Sequence, residues 1–172
     1  MALRAGHGES RVPGVTRILA VCLGNICRSP SAEAVLRARA EAAGLAAEID
    51  SAGTGDWHVG DPPYGPAVAA GAGRGYDLSA LRARQVRRGD FEAFDLILAM
   101  DRSNHQTLER MRPPGNRTPV RLFMEYAPEV GVAEVPDPYY TRDFDGALDL
   151  IEAAADGLIA QLQNASAMRP KA

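Results

Sequence analysis

Arg17-Ile-Leu-Ala-Val-Cys22-Leu-Gly-Asn-Ile-Cys27-Arg28-Ser29-Pro30 decides how the chain is read. Its opening apolar run, ending at Gly24-Asn25, has the character of a buried strand that stops in a tight loop. Beyond it, Ser31 to Ala43 is dominated by Ala, Leu, Glu and Arg and is followed by Gly44, so a helix ending at that glycine is expected. A strand, a short loop and a helix in this order let backbone N–H groups converge on one anion, and the helix dipole adds to the field. Within the loop, Cys22 is followed six positions later by Arg28, whose guanidinium can grip two phosphate oxygens where a lysine would offer a point charge. Gly24 and Asn25 tolerate the backbone angles such a cradle needs. Leu23, Gly24, Asn25, Ile26, Cys27, Arg28 and Ser29 are therefore the candidate phosphate-binding residues, with Cys22 as candidate nucleophile. A free cysteine pKa of about 8.5 can fall to roughly 3.5–7.5 at a helix N-terminus beside cations. The Ser29 hydroxyl is placed to donate to that sulfur, and attack on phosphorus would form a cysteinyl phosphate that water hydrolyses.

Outward from the loop, the pattern alternates. Ala46 to Ser51 reads as a second strand and Ala67 to Arg74 as a helix, separated by a Gly- and Pro-rich loop over Ala52 to Pro66. Phe94 to Met100 has the continuous apolar character of a central parallel strand. Asp101 to Met111 reads as a helix capped by Asp101 or Ser103, and Pro119 to Phe123 as a fourth strand. Phe144 to Gln163 closes the pattern as an amphipathic helix with Phe144, Leu148, Ile151, Leu158 and Leu162 on one side. Alternating strands and helices imply an α/β fold with a parallel sheet covered on both faces. One domain over residues 17–164 is expected, preceded by a flexible leader over 1–16 and followed by a loose tail over 165–172.

Composition narrows the function. With a net charge of -3, the chain gives no global reason to expect nucleic acid or an anionic membrane as partner, so attraction to phosphate must be local. No apolar run approaches the roughly 20 residues that cross a bilayer, and the leader lacks the apolar core of a signal peptide, so a cytoplasmic protein is expected. Two cysteines are too few and too close for a disulfide framework, and they point to chemistry instead. No metal or cofactor is called for.

Cys22-Leu-Gly-Asn-Ile-Cys-Arg-Ser-Pro30 together with Asp137-Pro-Tyr-Tyr140 resembles the low-molecular-weight protein tyrosine phosphatase family, and the resemblance runs from about Thr16 to Gln163. Asp50-Ser-Ala-Gly-Thr54, Trp57 and Phe94 to Asn104 match the family pattern too. The resemblance implies a flavodoxin-like three-layer fold with a central four-stranded parallel sheet. It also implies Asp137 as general acid and then base, Trp57 and Tyr139 as aromatic walls, and phosphotyrosine proteins or small aryl phosphates as substrates of a monomer or weak dimer. Tyr140 is a further candidate for the wall, or else a core or surface residue. The position suits Asp137: a phenolate leaves poorly near neutral pH, and Pro136 and Pro138 restrict the backbone on either side, although Asp beside Pro is also a common turn former. In the family the second cysteine protects the first from irreversible oxidation, which gives Cys27 a redox role; packing as a small buried side chain is its alternative. Asn25 and Ser51 are expected in a hydrogen-bond network under the loop. Many relatives complete that network with a histidine, but Asp77 to Gln85 contains none, and Leu81 stands in its place.

Other assignments are weaker. Asp101 ends a strand where open parallel sheets gather ligands, but a helix cap is the preferred role. His58 reads as a solvated side chain. An arsenate reductase of the same fold would relay oxidation through additional cysteines, which this chain lacks; an arginine phosphatase tends to carry Thr where Ile26 stands; a silent binding module would lack the nucleophile or the acid.

Overall fold

The computed structural model describes residues 14–168. Four strands, β1 (Thr16–Cys22), β2 (Ala47–Gly53), β3 (Leu96–Ala99) and β4 (Val120–Leu122), form one sheet in the order β2-β1-β3-β4. Every pairing is parallel, with Cys22 opposite Gly53 and Val21 opposite Ala99. The helices are α1 (Arg28–Ala42), α2 (Gly65–Ala72), the one-turn α3 (Asp90–Ala93), α4 (Arg102–Met111), the one-turn α5 (Pro138–Thr141) and α6 (Phe144–Met168).

The uninterrupted apolar run of β1 is explained by burial on both faces. Ile18 and Ala20 face a cluster with Val35 and Leu36 of α1 and Leu148, Ile151 and Leu158 of α6. Leu19 and Val21 face a second cluster with Phe91, Ile97, Leu108 and Val120. Both faces exclude water, so alternation has no role there. Each fully buried aliphatic side chain contributes on the order of 1.5–3 kcal/mol. Because β1 has β2 on one side and β3 on the other, the chain winds away in opposite directions from its C-terminal end. Open parallel sheets bind ligands at such a crevice.

Several boundaries differ from expectation. Helix α1 begins at Arg28 rather than Ser31, and α2 at Gly65 rather than Ala67. In both cases a proline, Pro30 or Pro66, sits in the first turn, where its missing N–H costs nothing. At its end α1 stops as expected: Gly44 takes φ +66° and Leu45 N–H reaches back to the Ala40 carbonyl at 2.9 Å. Helix α6 runs on to Met168, so residues 165–168 of the expected tail are helical, and Thr16 of the expected leader lies in β1. The remainder of leader and tail, residues 1–13 and 169–172, falls outside the described residues. No described helix is long and apolar enough to cross a membrane.

Candidate active site

Cys22 is the last residue of β1, and only five residues separate it from the start of α1, so the loop has to wrap around the sulfur. Asn25 makes the turn with φ +58°, a left-handed conformation that asparagine accepts better than other non-glycine residues. Its N–H donates to Cys22 Sγ at 3.3 Å, and Ser29 Oγ, in the first turn of α1, lies 3.0 Å from the same sulfur. Gly53 gives the loop its room: a Cβ there would lie 2.7 Å from the Leu23 carbonyl oxygen. Thr54 and Gly55 N–H then donate to the Cys22 and Leu23 carbonyls, each at 2.9 Å, tying the loop to the end of β2.

Beneath the sulfur, the hydrogen bonds run in a fixed direction. The Asn25 amide donates to Ser29 Oγ at 2.8 Å and to Ser51 Oγ at 3.0 Å. The Ser51 hydroxyl donates in turn to Glu33 at 2.6 Å, while the Ser29 hydroxyl lies between Cys22 Sγ at 3.0 Å and the Ala52 carbonyl, which accepts from it at 3.4 Å. Each of these side-chain amide and Ser51 donors finds an acceptor within the loop and the elements beneath it. Glu33 is buried and its pKa is raised by that burial, against the pull of Ser51 and of Arg37 at 2.6 Å. Asn25 Oδ1 accepts the backbone N–H of Arg84 at 3.0 Å, and Arg84 is itself anchored through its side chain on Asp50 and Asp90. The partner expected at Leu81 is therefore supplied three residues later by a main-chain amide, while Leu81 packs against the main core cluster.

Arg28 is 3% exposed and aimed by three acceptors. Its Nη1 donates to Asp101 Oδ2 at 2.7 Å and to the Val135 carbonyl at 3.0 Å, and Nη2 to Asp137 Oδ2 at 3.5 Å. Burial opposes its charge, but Cys22, Asp101 and Asp137 more than offset this and raise its pKa. Asp101 also caps α4, its Oδ1 accepting Asn104 N–H at 2.8 Å. Cap and arginine partner use different oxygens of one carboxylate, and sequence reasoning preferred only the first. The place of Asp101 at the end of a strand, where open parallel sheets gather ligands, was the signal for the second role, and the cap was ranked above it.

Asp137 caps α5, with Oδ1 accepting Tyr139 N–H at 3.1 Å. A cavity of about 290 Å³ brings together Cys22, Leu23, Gly24, Ile26, Cys27, Arg28, Trp57, His58, Asp137, Tyr139 and Tyr140. Asn25 and Ser29 lie behind this surface. Trp57, Tyr139 and Tyr140 are all exposed, so Tyr140 is at the rim and not in the core. His58 also lines the cavity, partly exposed and 3.2 Å from Asp61. Tyr64, which no sequence motif marked, packs against Tyr139 in a tilted pair with ring centroids 5.1 Å apart. Cys27 is a free, buried thiol packed with Ile26, Ala67 and Ala83; burial, then the charges of Asp137 and Cys22, push its pKa up to about 12. A larger open groove of about 740 Å³, lined by Arg17, Glu48 and Phe94 among others, lies toward the other end of β1 and contains no cysteine. Among the described residues no group of three or more His, Cys, Asp or Glu is placed to hold a metal ion.

Fold and site together define an open parallel α/β protein whose loop after β1 wraps around a buried cysteine. The sequence matches the family model of low molecular weight phosphotyrosine protein phosphatase over residues 17–168, and the chain belongs to that family. It is 46% identical over 156 residues to a low molecular weight protein-tyrosine-phosphatase of Streptomyces coelicolor, covering 86% of this chain and 93% of the relative. The crystal structure of YfkJ from Bacillus subtilis superposes with a TM-score of 0.84 at 38% identity, covering 88% of this chain and 96% of that one. DARP, a Drosophila arginine phosphatase, superposes with a TM-score of 0.79 at 30% identity, covering 84% and 96%.

Proposed function

We propose that the protein is a tyrosine phosphatase that hydrolyses phosphotyrosine in proteins, or small aryl phosphates, through a cysteinyl-phosphate intermediate. The observation that carries this reading is the single cavity in which the Cys22 sulfur, the Arg28 guanidinium and the Asp137 carboxyl meet under exposed aromatic rings. The Cys22 thiolate attacks phosphorus, the bond to the aryl oxygen breaks, and protonated Asp137 delivers its proton to the departing phenolate. The resulting carboxylate takes a proton from water, whose oxygen attacks phosphorus, and the S–P bond breaks to release phosphate. Arg28 spans two oxygens of the transferring group in both steps, and Ser29 donates to the sulfur as it leaves. Asp101 and Val135 hold the guanidinium in aim throughout, so little reorganisation is required when charge develops.

Trp57, Tyr139 and Tyr140 form the walls of an aromatic slot whose depth favours phosphotyrosine over phosphoserine. Ile26 gives the floor an apolar side chain, which suits a phenyl ring better than a guanidinium and favours this reading over an arginine phosphatase. Cys27 serves as a redox partner of Cys22, and the protein acts in the cytoplasm as a monomer or weak dimer. A panel of phosphotyrosine, phosphoserine and phosphoarginine peptides, with arsenate reduction as a separate assay, tests the assignment. Turnover confined to phosphotyrosine is expected; faster release from phosphoarginine, or arsenate reduction, would replace it.

A further inference from the structure

Among the described residues only two besides glycines take a positive φ, Asn25 at +58° and Arg142 at +66°. The first turns the loop around the sulfur. The second ends the one-turn helix α5 that Asp137 begins. Arginine gains nothing from a left-handed backbone, so contacts elsewhere must hold it there.

Those contacts are specific. The Arg142 N–H donates to the Pro138 carbonyl at 2.8 Å, while Tyr140 and Thr141 N–H donate to the Asp137 carbonyl at 3.0 and 3.1 Å, so Asp137 and Arg142 are the two ends of one hydrogen-bonded turn. The Arg142 guanidinium lies 5.4 Å from the centroids of both Tyr64 and Phe144, within cation–π range of each. Its Nη1 also donates to the Tyr64 hydroxyl at 3.2 Å and to the Tyr139 carbonyl at 3.3 Å. Tyr64 is fixed to the loop, its own N–H donating to the Ile26 carbonyl at 2.9 Å. Through Tyr64, the turn carrying Asp137 and Tyr139 is therefore fastened to the loop carrying Cys22.

Resting on the function proposed above, we infer that Arg142 is a positioning residue, a clasp that holds the Asp137 carboxyl and the Tyr139 ring over the phosphate loop. It touches no reacting atom. Arg142→Gly removes the clasp and fits the left-handed backbone, so any loss cannot come from added strain. Turnover of phenyl phosphates with poor leaving groups should fall about tenfold, while activated aryl esters lose less than about threefold, because only the former need a well-placed proton donor. Combined with Asp137→Ala, Arg142→Gly should cost nothing further in kcat on the esters with poor leaving groups, since its effect on proton transfer runs through that carboxyl. Tyr64→Leu, which removes the other half of the clasp, should show the same selectivity and serves if the glycine variant folds poorly. Equal losses across all esters, or full additivity with Asp137→Ala, would overturn the clasp. Failure of wild-type enzyme to discriminate against Asp137→Ala on poor leaving groups would instead overturn the assignment of the acid itself.

Discussion

The loop around Cys22 and the arm around Asp137 are built on opposite plans. In the loop, Cys22, Asn25, Arg28, Ser29 and Ser51 are each 5% exposed or less, and their polar atoms satisfy one another through a directed chain of donors. In the arm, Tyr139 is 42% and Tyr140 73% exposed, and the turn is held by ring contacts and an arginine at the surface. The buried network fixes atoms to within a hydrogen bond, as a site that stabilises developing charge requires. Tilted and edge-on ring contacts, at 54° and 81°, hold the side chains together with less positional precision than a hydrogen bond. Damage to the loop should then remove activity on every ester, whereas damage to the arm should change which esters are turned over.

Cys22→Ser gives the largest effect expected. Serine keeps the volume and the hydrogen bonds to Asn25 and Ser29, so the fold should be retained by circular dichroism while turnover of an activated aryl phosphate drops at least about 10⁴-fold. Measurable burst release from the variant would break the loop side of the comparison. Asp137→Ala comes next, with a loss of about 10²–10⁴-fold on phenyl esters of poor leaving groups and far less on activated ones. A uniform loss would mean the arm works as the loop does. Asp101→Asn sharpens the boundary between them. Asparagine still caps α4, but the closer of the two carboxylates on Arg28 loses its charge, so a loss of about tenfold in kcat/KM should fall on all esters alike.

The same contrast explains what could be read from sequence. Cys22, Asn25, Arg28 and Ser29 lie within eight consecutive residues, so their meeting is a local event that strand, turn and helix signals suffice to foresee. Alternation of strands and helices likewise led to the parallel sheet. Asp137 was found through its flanking prolines and the family motif. What stayed hidden depends on pairs the topology creates: Asp101 with Arg28 at 73 residues' separation, and Arg84 N–H with Asn25 at 59. No local preference announces either. Tyr64 sits in a loop rich in Gly and Pro and is recruited only because Tyr139 arrives beside it. Arg142 was invisible for a stronger reason, since its backbone conformation runs against the preference of its residue type. The helical extension to Met168 was missed because Asn164 to Met168 continues no apolar stripe.

Cys27 lies where the two regions join, in a cluster with Ile26 of the loop against which Tyr64 and Phe144 of the clasp pack. Since the pocket needs only its volume, Cys27→Ser should leave turnover of aryl phosphates within about twofold of wild type. Its thiol chemistry has a defined pH dependence. Trapping an oxidised Cys22 requires the Cys27 thiolate to attack the sulfenic sulfur, forming the S–S bond while the S–O bond breaks and the oxygen leaves as water after taking a proton. With burial raising the thiol from 9.0 to about 12, the reactive thiolate is scarce at neutral pH and grows about tenfold per pH unit below that value. After peroxide treatment, recovery with a reducing agent should thus exceed that of Cys27→Ser only slightly at pH 7 and clearly at pH 8.5. Stability follows the same titration. The unfolded chain releases this proton near 9.0 and the folded one near 12, so the contribution is full below pH 9 and is lost as pH rises through 12. Urea midpoints of wild type should accordingly fall more steeply between pH 9 and pH 11 than those of Cys27→Ser, and parallel curves would show that the thiol is not held protonated by burial between loop and arm.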